Sequence, residues 1–417
     1  MEKGVLTYVD LDGAPHFVGR LWARARQKKE SASFEYDPAW LQNPVSFSLE
    51  PALQLGPGPF HTADDIPMFG AIGDSAPDRW GRALMRRMER RRADREKQVP
   101  RTLFEIDYLL VDDQTRAGAL RFKAEEGGPF LRESDAGRVP PLVELPKLLS
   151  AAQRVIDEDE TDEDLRLLLA PGSSLGGARP KASVREQDGR LAIAKFPRKD
   201  DEVSTVLWEA VALDLAEKSG INVASRRVEK VGKKPVLILQ RFDRKGGQRI
   251  PFLSAMSMLG AKDNQPRSYL EMVDVLRRYG ATPKRDMEAL WRRIVFNIMI
   301  SNTDDHLRNH GFLYAGADGW QLSPAYDLNP VPVDIKPRVL TTSINEDDGT
   351  ASLDLAMEVS EYFELDASVA RKIVRQTGRA VSNWRSVAKQ AAINETEIDR
   401  MASAFEHADL EKAIKVS

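Results

Sequence analysis

The chain has no cysteine among its 417 residues. Disulfides and thiolate metal sites are therefore excluded, which fits a reducing cytosol. Charge of one sign is not in excess either: 61 Lys and Arg stand against 64 Asp and Glu, a formal net charge of −3. Without a global positive field, any contact with nucleic acid must be local. No stretch approaches the ~18 uninterrupted apolar residues of a membrane span, and the start, MEKGVLTYVDLDG, lacks the apolar core of a secretory signal. These absences predict a cytoplasmic protein with no membrane partner. No internal repeat, Gly-x-Ser-x-Gly elbow or Rossmann fingerprint is present.

With 42% hydrophobic and 30% charged residues, the composition is that of a globular chain. At ~100–200 residues per domain, the length predicts two or three domains. The runs VLTYV, PHFVGRLW and SASFEY alternate with Asp-Gly and charged turns up to Tyr36, which predicts a small antiparallel sheet. APDRWGRALMRRMERRRADREK begins at an Asp cap and spaces Trp80, Leu84 and Met88 for one face of a helix. Its Arg86, Arg87, Arg90, Arg91, Arg92 and Arg95 read as a solvated face, with a phosphate-binding patch as the competing reading. The acidic run from Asp157 to Asp164, DEDETDED, also reads as solvated. KASVRE, LAIAKFP and VEKVGKKPVLILQRF predict strands, with a turn at Gly232, and a helix carrying Trp208, Ala212 and Leu215 lies between them. Beyond about Arg267 the pattern is mainly helical; MEALWRRIVFNIMI sets Leu290, Ile294, Val295, Ile298 and Met299 on one broad face.

Between Ile300 and Leu328 the sequence ISNTDDHLRNHGFLYAGADGWQLSPAYDL places Asp304, Asn309 and Asp327 around one expected hairpin, turned at Gly316 to Gly319. Two carboxylates and a carboxamide in this order suit phosphoryl transfer, since an Asp accepts the proton of an attacking hydroxyl while Asn and Asp oxygens hold Mg²⁺. Helix capping explains Asn302, Thr303 and Asp304 but not Asn309 or the return to Asp327. PGSSLGGARPK, Pro171 to Lys181, offers small residues for close approach to phosphate but departs from the Walker pattern. Lys195 follows on a strand, and then a helix with Glu209, the order in which a kinase Lys grips phosphates and a helix Glu steadies it. PVLILQRFDR reads as a buried strand leading into a hinge at Gln240, Arg241 and Phe242. His306 and His310 stand four apart, yet HLRNH lacks the Glu of a HExxH zinc site, so zinc is the minor reading.

Taken in order, SFEYDPAWLQNPVSFSL, MFGAIGDSAPDRWGRALM, LLVDDQTRAGALRF, SSLGGARPK, AKFP, LQRFDR, NTDDHLRNHGF and SPAYDL resemble the HipA family, serine/threonine protein kinases that act as toxins of bacterial toxin–antitoxin pairs. The resemblance runs over nearly the whole chain. It implies an α/β (α+β), protein-kinase-like two-lobed fold with an extra N-terminal β-rich subdomain, residues 1–128, a small lobe, 129–246, and a mainly helical C-terminal lobe, 247–417. It implies Asp304 as catalytic base, with Asn309 and Asp327 on Mg²⁺. ATP would meet Gly176, Gly177, Ala178, Arg179, Pro180, Lys181, Lys195, Gln240, Arg241, Phe242, His306, Leu307, Arg308, Asn309, Tyr326 and Asp327. It further implies autophosphorylation at Ser174, beside Ser173, which would silence the kinase. The expected partners are a HipB-like helix-turn-helix antitoxin, an aminoacyl-tRNA synthetase as substrate, and DNA only through the antitoxin complex. Two departures stand out: Arg179-Pro180 replaces more usual polar or acidic loop residues, and Gln240 an acidic hinge residue. A small-molecule or lipid kinase on the same scaffold, and an inactive co-repressor, are the alternatives.

Overall fold

A two-residue Asp-Gly turn opens the structure. Asp12 and Gly13 have φ of 50° and 81°, the left-handed pair that a tight hairpin needs, and they join β1 (Glu2–Leu11) to β2 (Ala14–Arg26). With β3 (Lys29–Tyr36), β4 (Pro59–His61) and β5 (Leu120–Lys123), these form a five-stranded sheet in the order β4-β3-β2-β1-β5. The computed structural model describes residues 2–26, 29–109, 113–131, 139–169 and 177–416. They divide into two units, Met1–Asp200 with Glu229–Leu253, and Asp201–Val228 with Ser254–Ser417.

The first unit also contains most of a second sheet, β6 (Lys181–Arg185), β7 (Leu191–Lys195), β8 (Arg226–Val231) and β9 (Lys234–Gln240), ordered β6-β7-β9-β8. Pairing of Ala182 with Ala194 and of Ala194 with Ile238 gathers the small and apolar residues on one face. That face packs on α1 (Arg79–Glu96), α2 (Leu145–Ile156) and α3 (Asp162–Leu169) through Trp80, Leu84, Leu148 and Leu165. Asp78 caps α1 as its sequence predicts, accepting a hydrogen bond from the Gly81 N–H at 3.0 Å.

Two expectations change here. The arginine run of α1 and the acidic run are not separately solvated; they pair with each other. Arg87 binds Glu160 at 2.8 Å, Arg95 binds Asp162 at 2.9 Å, and Arg91 lies 3.5 Å from Asp162. Opposite charges far apart in sequence satisfy each other once α1 and α3 pack, which neither run reveals alone.

The second unit gathers around helices. α4 (Thr205–Lys218) lies within the segment expected in the small lobe, yet it belongs to this unit. Trp208 explains the packing: its ring sits 5.9 Å from Phe405 and 6.2 Å from Trp384, and its Nε1–H donates to Glu397 at 3.0 Å. α5 (Tyr269–Tyr279) starts at a capping box of Ser268 and Glu271. α6 (Pro283–Ile300) begins with Pro at its first turn and buries Trp291, Phe296 and Asn297 in addition to the expected apolar stripe, so its C-terminal half is enclosed on all sides. The remaining long helix is α7 (Ala367–Val381).

Candidate active site

α6 stops at Ser301, whose φ of 50° and N–H bonds back to Asn297 and Ile298 end the helix in a left-handed cap. The chain then runs without regular structure through Asn302 to His306 and tightens into one 3-10 turn, Leu307–Asn309. Asp304 is exposed on this path, whereas Asn302, Asp305 and Asn309 are buried. β10 (Gly311–Tyr314) and β11 (Trp320–Leu322) follow as the expected hairpin, Phe312 opposite Leu322. Gly319 is required at its turn: φ is 110°, and a Cβ would lie 2.4 Å from the Tyr279 carbonyl oxygen. The hairpin returns the chain to Asp327, half-buried with a left-handed φ of 56°. Asp tolerates that backbone better than most residues.

Three hydrogen bonds bring these positions together. The Asn309 side-chain amide donates to the Asp304 carbonyl at 2.8 Å, and the Tyr326 hydroxyl donates to the Arg308 carbonyl at 2.7 Å. The Asn329 N–H donates to Asn302 Oδ1 at 3.2 Å. Neighbours of Asp327 are thus fastened to both sides of the Asp304–Asn309 segment. Asn309 Oδ1 is buried and has no hydrogen-bond partner in the protein. A buried carbonyl oxygen left this way, with the Asp327 carboxylate on the fastened segment, is a donor set suited to a hard divalent cation. Leu307 is buried, and Arg308 directs its guanidinium to Asp263, 3.0 Å on both arms.

Beneath this segment lies a polar network. Asp305 accepts from the Tyr269 hydroxyl, from the Thr341 N–H at 3.0 Å and, at 3.4 Å, from the Thr342 N–H and the Asn297 side chain. Burial pushes its pKa up to about 7, against the pull of the Tyr269, Thr342 and Thr341 donors. His310, edge-on to Tyr269 at 5.4 Å, is pushed down to about 3, by burial first and Arg293 second, and stays neutral. Sequence reasoning passed over Asn297 and Tyr269 and gave Asn302 only a capping role. The one available signal was an Asn inside the otherwise apolar VFNIMI.

Of the expected nucleotide-binding residues, Gly177 to Lys181, Lys195 and Gln240 to Phe242 fall in the first unit, and His306 to Asn309, Tyr326 and Asp327 in the second. Lys195 is buried at the end of β7, opposite Lys181 across the ladder, while Glu209 is buried on α4 of the second unit. Lys181 is engaged within its own unit: its Nζ lies 2.8 Å from Asp78 and 3.3 Å from the Gly177 carbonyl, and its carbonyl accepts from Trp80. Gly177 has a φ of 87°, Ala178 is exposed, Arg179 half-buried and Pro180 buried. Arg241 is also committed to the scaffold. Its N–H donates to the Leu191 carbonyl at 3.1 Å, and its guanidinium holds Asp243 and the Thr115 and Arg116 carbonyls. Gln240 pairs with Ala192, and the Phe242 ring faces Phe252 at 6.2 Å. Ser173, Ser174 and Gly176 lie outside the described residues.

Residues 173–384 match the HipA-like C-terminal domain family, which covers Lys195 and the whole Asp304–Asp327 segment. The chain belongs to the HipA family. A Sinorhizobium fredii relative named "Putative kinase Y4mE" is 26% identical over 344 residues, 74% of this chain and 75% of that protein. A Haemophilus influenzae "Putative kinase" is 22% identical over 237 residues, 51% of this chain and 65% of that one. Among solved structures, the HipA, HipB and operator DNA complex of Shewanella oneidensis MR-1 has a chain with TM-score 0.67 and 16% identity, covering 99% of this chain and 96% of that one. The HipA fold, mixed α/β, therefore extends over the entire chain, including the N-terminal sheet outside the family's matched region. No helix among the described residues is long and apolar enough to cross a membrane.

Proposed function

We propose that this HipA-family chain is an ATP-dependent serine/threonine protein kinase that arrests growth, with Asp304 as its catalytic base. One observation carries the reading. Exposed Asp304 and buried Asn309 are tied together, the Asn309 amide holding the Asp304 carbonyl while its Oδ1 has no protein partner. Asp304 then accepts the proton of the attacking hydroxyl, and Asn309 with Asp327 holds Mg²⁺. Bound Mg²⁺ supplies charge neutralisation at the phosphate oxygens. Lys195 holds phosphate, and Tyr326 keeps Asp327 beside the 307–309 turn through its bond to Arg308. Phosphorylation of Ser174 would add roughly −1.5 to −2 charge beside the phosphate-binding loop and silence the enzyme by repulsion.

The acceptor in this reading is a serine of a cellular protein, an aminoacyl-tRNA synthetase in the family pattern. A helix-turn-helix antitoxin neutralises the kinase and provides its only link to DNA; the Shewanella oneidensis relative solved with HipB and operator DNA supports that partner. Radiolabelled Mg-ATP tests the proposal. The wild type is expected to label protein serine or threonine, with intact mass showing one phosphate at Ser174, and Asp304→Ala is expected to lower transfer by about 10²–10⁴-fold. Label found only on a metabolite supports a small-molecule kinase instead. Transfer by Asp304→Ala at the wild-type rate overturns the assignment of the base.

A further inference from the structure

Asp304 is held from behind. Its neighbour Asp305 is 1% exposed, so in the irregular segment after α6 one acidic side chain points to solvent while the next is enclosed. Every polar atom of Asp305 that leaves the backbone is engaged. Oδ2 accepts from Tyr269 and, at 3.4 Å, from Asn297; Oδ1 accepts from the Thr341 and Thr342 N–H groups; its carbonyl accepts from the Thr342 hydroxyl at 2.7 Å. From Asn297 the bonds continue: Asn302 Nδ2 donates to Asn297 Oδ1 at 3.0 Å, and Asn302 Oδ1 accepts from the Asn329 N–H at 3.2 Å. An unbroken relay thus runs from the 341–342 strap through Asp305, Asn297 and Asn302 to a residue two places beyond Asp327. Lys336 and Thr341 add bonds to the Thr303 carbonyl, at 3.1 and 2.8 Å, on the other side of Asp304.

We infer that Asp305 is a positioning residue for phosphoryl transfer, setting the direction of the Asp304 carboxylate. The inference rests on the reading of Asp304 as base. Packing alone gives no reason for a carboxyl at this place, since burying one is unfavourable unless its hydrogen bonds serve a purpose. Its geometry does serve one: two acceptor oxygens meet donors from α5, α6 and the strap at once, which an apolar or amide side chain cannot do. Misplacing a reacting group by about 1 Å lowers a rate by ~10²-fold.

The test is ADP formation by the full chain in Mg-ATP, measured over a range of ATP concentrations. Asp305→Asn presents an N–H₂ to one of its donors, and we expect kcat to fall by about 10- to 100-fold with KM for ATP within two-fold, because Lys195 and the other expected nucleotide contacts are unchanged. In an Asp304→Ala background, Asp305→Asn should cause no further loss, since it acts through Asp304. Tyr269→Phe, which removes a single donor and keeps the ring, should lower kcat about 3- to 10-fold, and it serves if Asp305→Asn fails to fold. Wild-type kcat in the folded variant, or a further fall in the Asp304→Ala background, overturns this inference alone. Absence of ADP formation by the wild type overturns the kinase reading and this inference with it.

Discussion

Replacing Asp243 with Asn should unfold the first unit at a much lower temperature. Asp243 and Arg241 have fully buried side chains, and Arg244 is 9% exposed beside them. The carboxylate accepts from Arg241 Nε at 2.7 Å, Arg244 at 2.9 Å and the Gly118 N–H at 2.8 Å. Burial by itself would raise its pKa, but the two guanidiniums and the Gly118 N–H outweigh this and hold the carboxyl well below the usual range. Burial pushes Arg244 down, to about 9, which still leaves it charged near neutrality. Asn keeps the shape and removes the charge, so two buried cations lose their counter-ion. Breaking a buried pair in this way costs about 3–5 kcal/mol, or roughly 6–20 °C in Tm for a unit of this size. Calorimetry, with hydrogen exchange at the Gly118 amide to assign the transition, measures it. Arg190→Ala, which breaks the exposed pair with Asp188, is the control and should shift stability by less than about 0.5 kcal/mol. A shift below ~1 kcal/mol for Asp243→Asn would refute the claim that this triad secures the LQRFDR segment.

Lys181→Met should destabilise the same unit by about 3 kcal/mol, because the buried Asp78 side chain loses its 2.8 Å ion pair with Lys181; an unchanged urea midpoint argues against it. Stability should fall as pH rises from about 6.5 to 8.5, above the range in which His310 and His407, held neutral by burial, contribute the opposite slope. Burial raises Glu50 to about 8, against the Ala71 and Gly70 N–H groups, and Asp305 to about 7, so the folded chain holds protons that the unfolded chain has released. Glu50→Gln should flatten the first unit's share of that slope, and a Tm that rises with pH would count against both assignments. Glu160→Gln should remove part of the salt sensitivity of the α1–α3 contact, seen as a smaller difference in melting between low and high salt, since Arg87 loses its 2.8 Å ion pair and keeps the 3.5 Å one with Glu158.

Much of the scaffold was legible because local patterns carry it. The run LAIAKFP predicted a strand and forms β7, whose Ala192 and Ala194 join the core cluster. Asp78 announced the start of α1 and Gly232 the turn between β8 and β9. The hairpin that returns to Asp327 followed from the Gly316 to Gly319 turn. Side-chain commitments were not legible in the same way. Arg241 reads as a hinge residue facing a nucleotide, yet its guanidinium meets carbonyls more than a hundred residues earlier in the chain.

The sequence by itself determined which chemistry is available: a Lys on a strand, an Asp, Asn and Asp in order, and a family resemblance that the matched region bears out. Only tertiary structure decided what each polar group faces. The arginine run found the acidic run, Lys181 found Asp78, and Asp305 turned inward while Asp304 stayed exposed. The reason is physical: propensity and periodicity act within a few residues, whereas a charge chooses its partner across whatever distance in sequence the packing of helices and sheets closes.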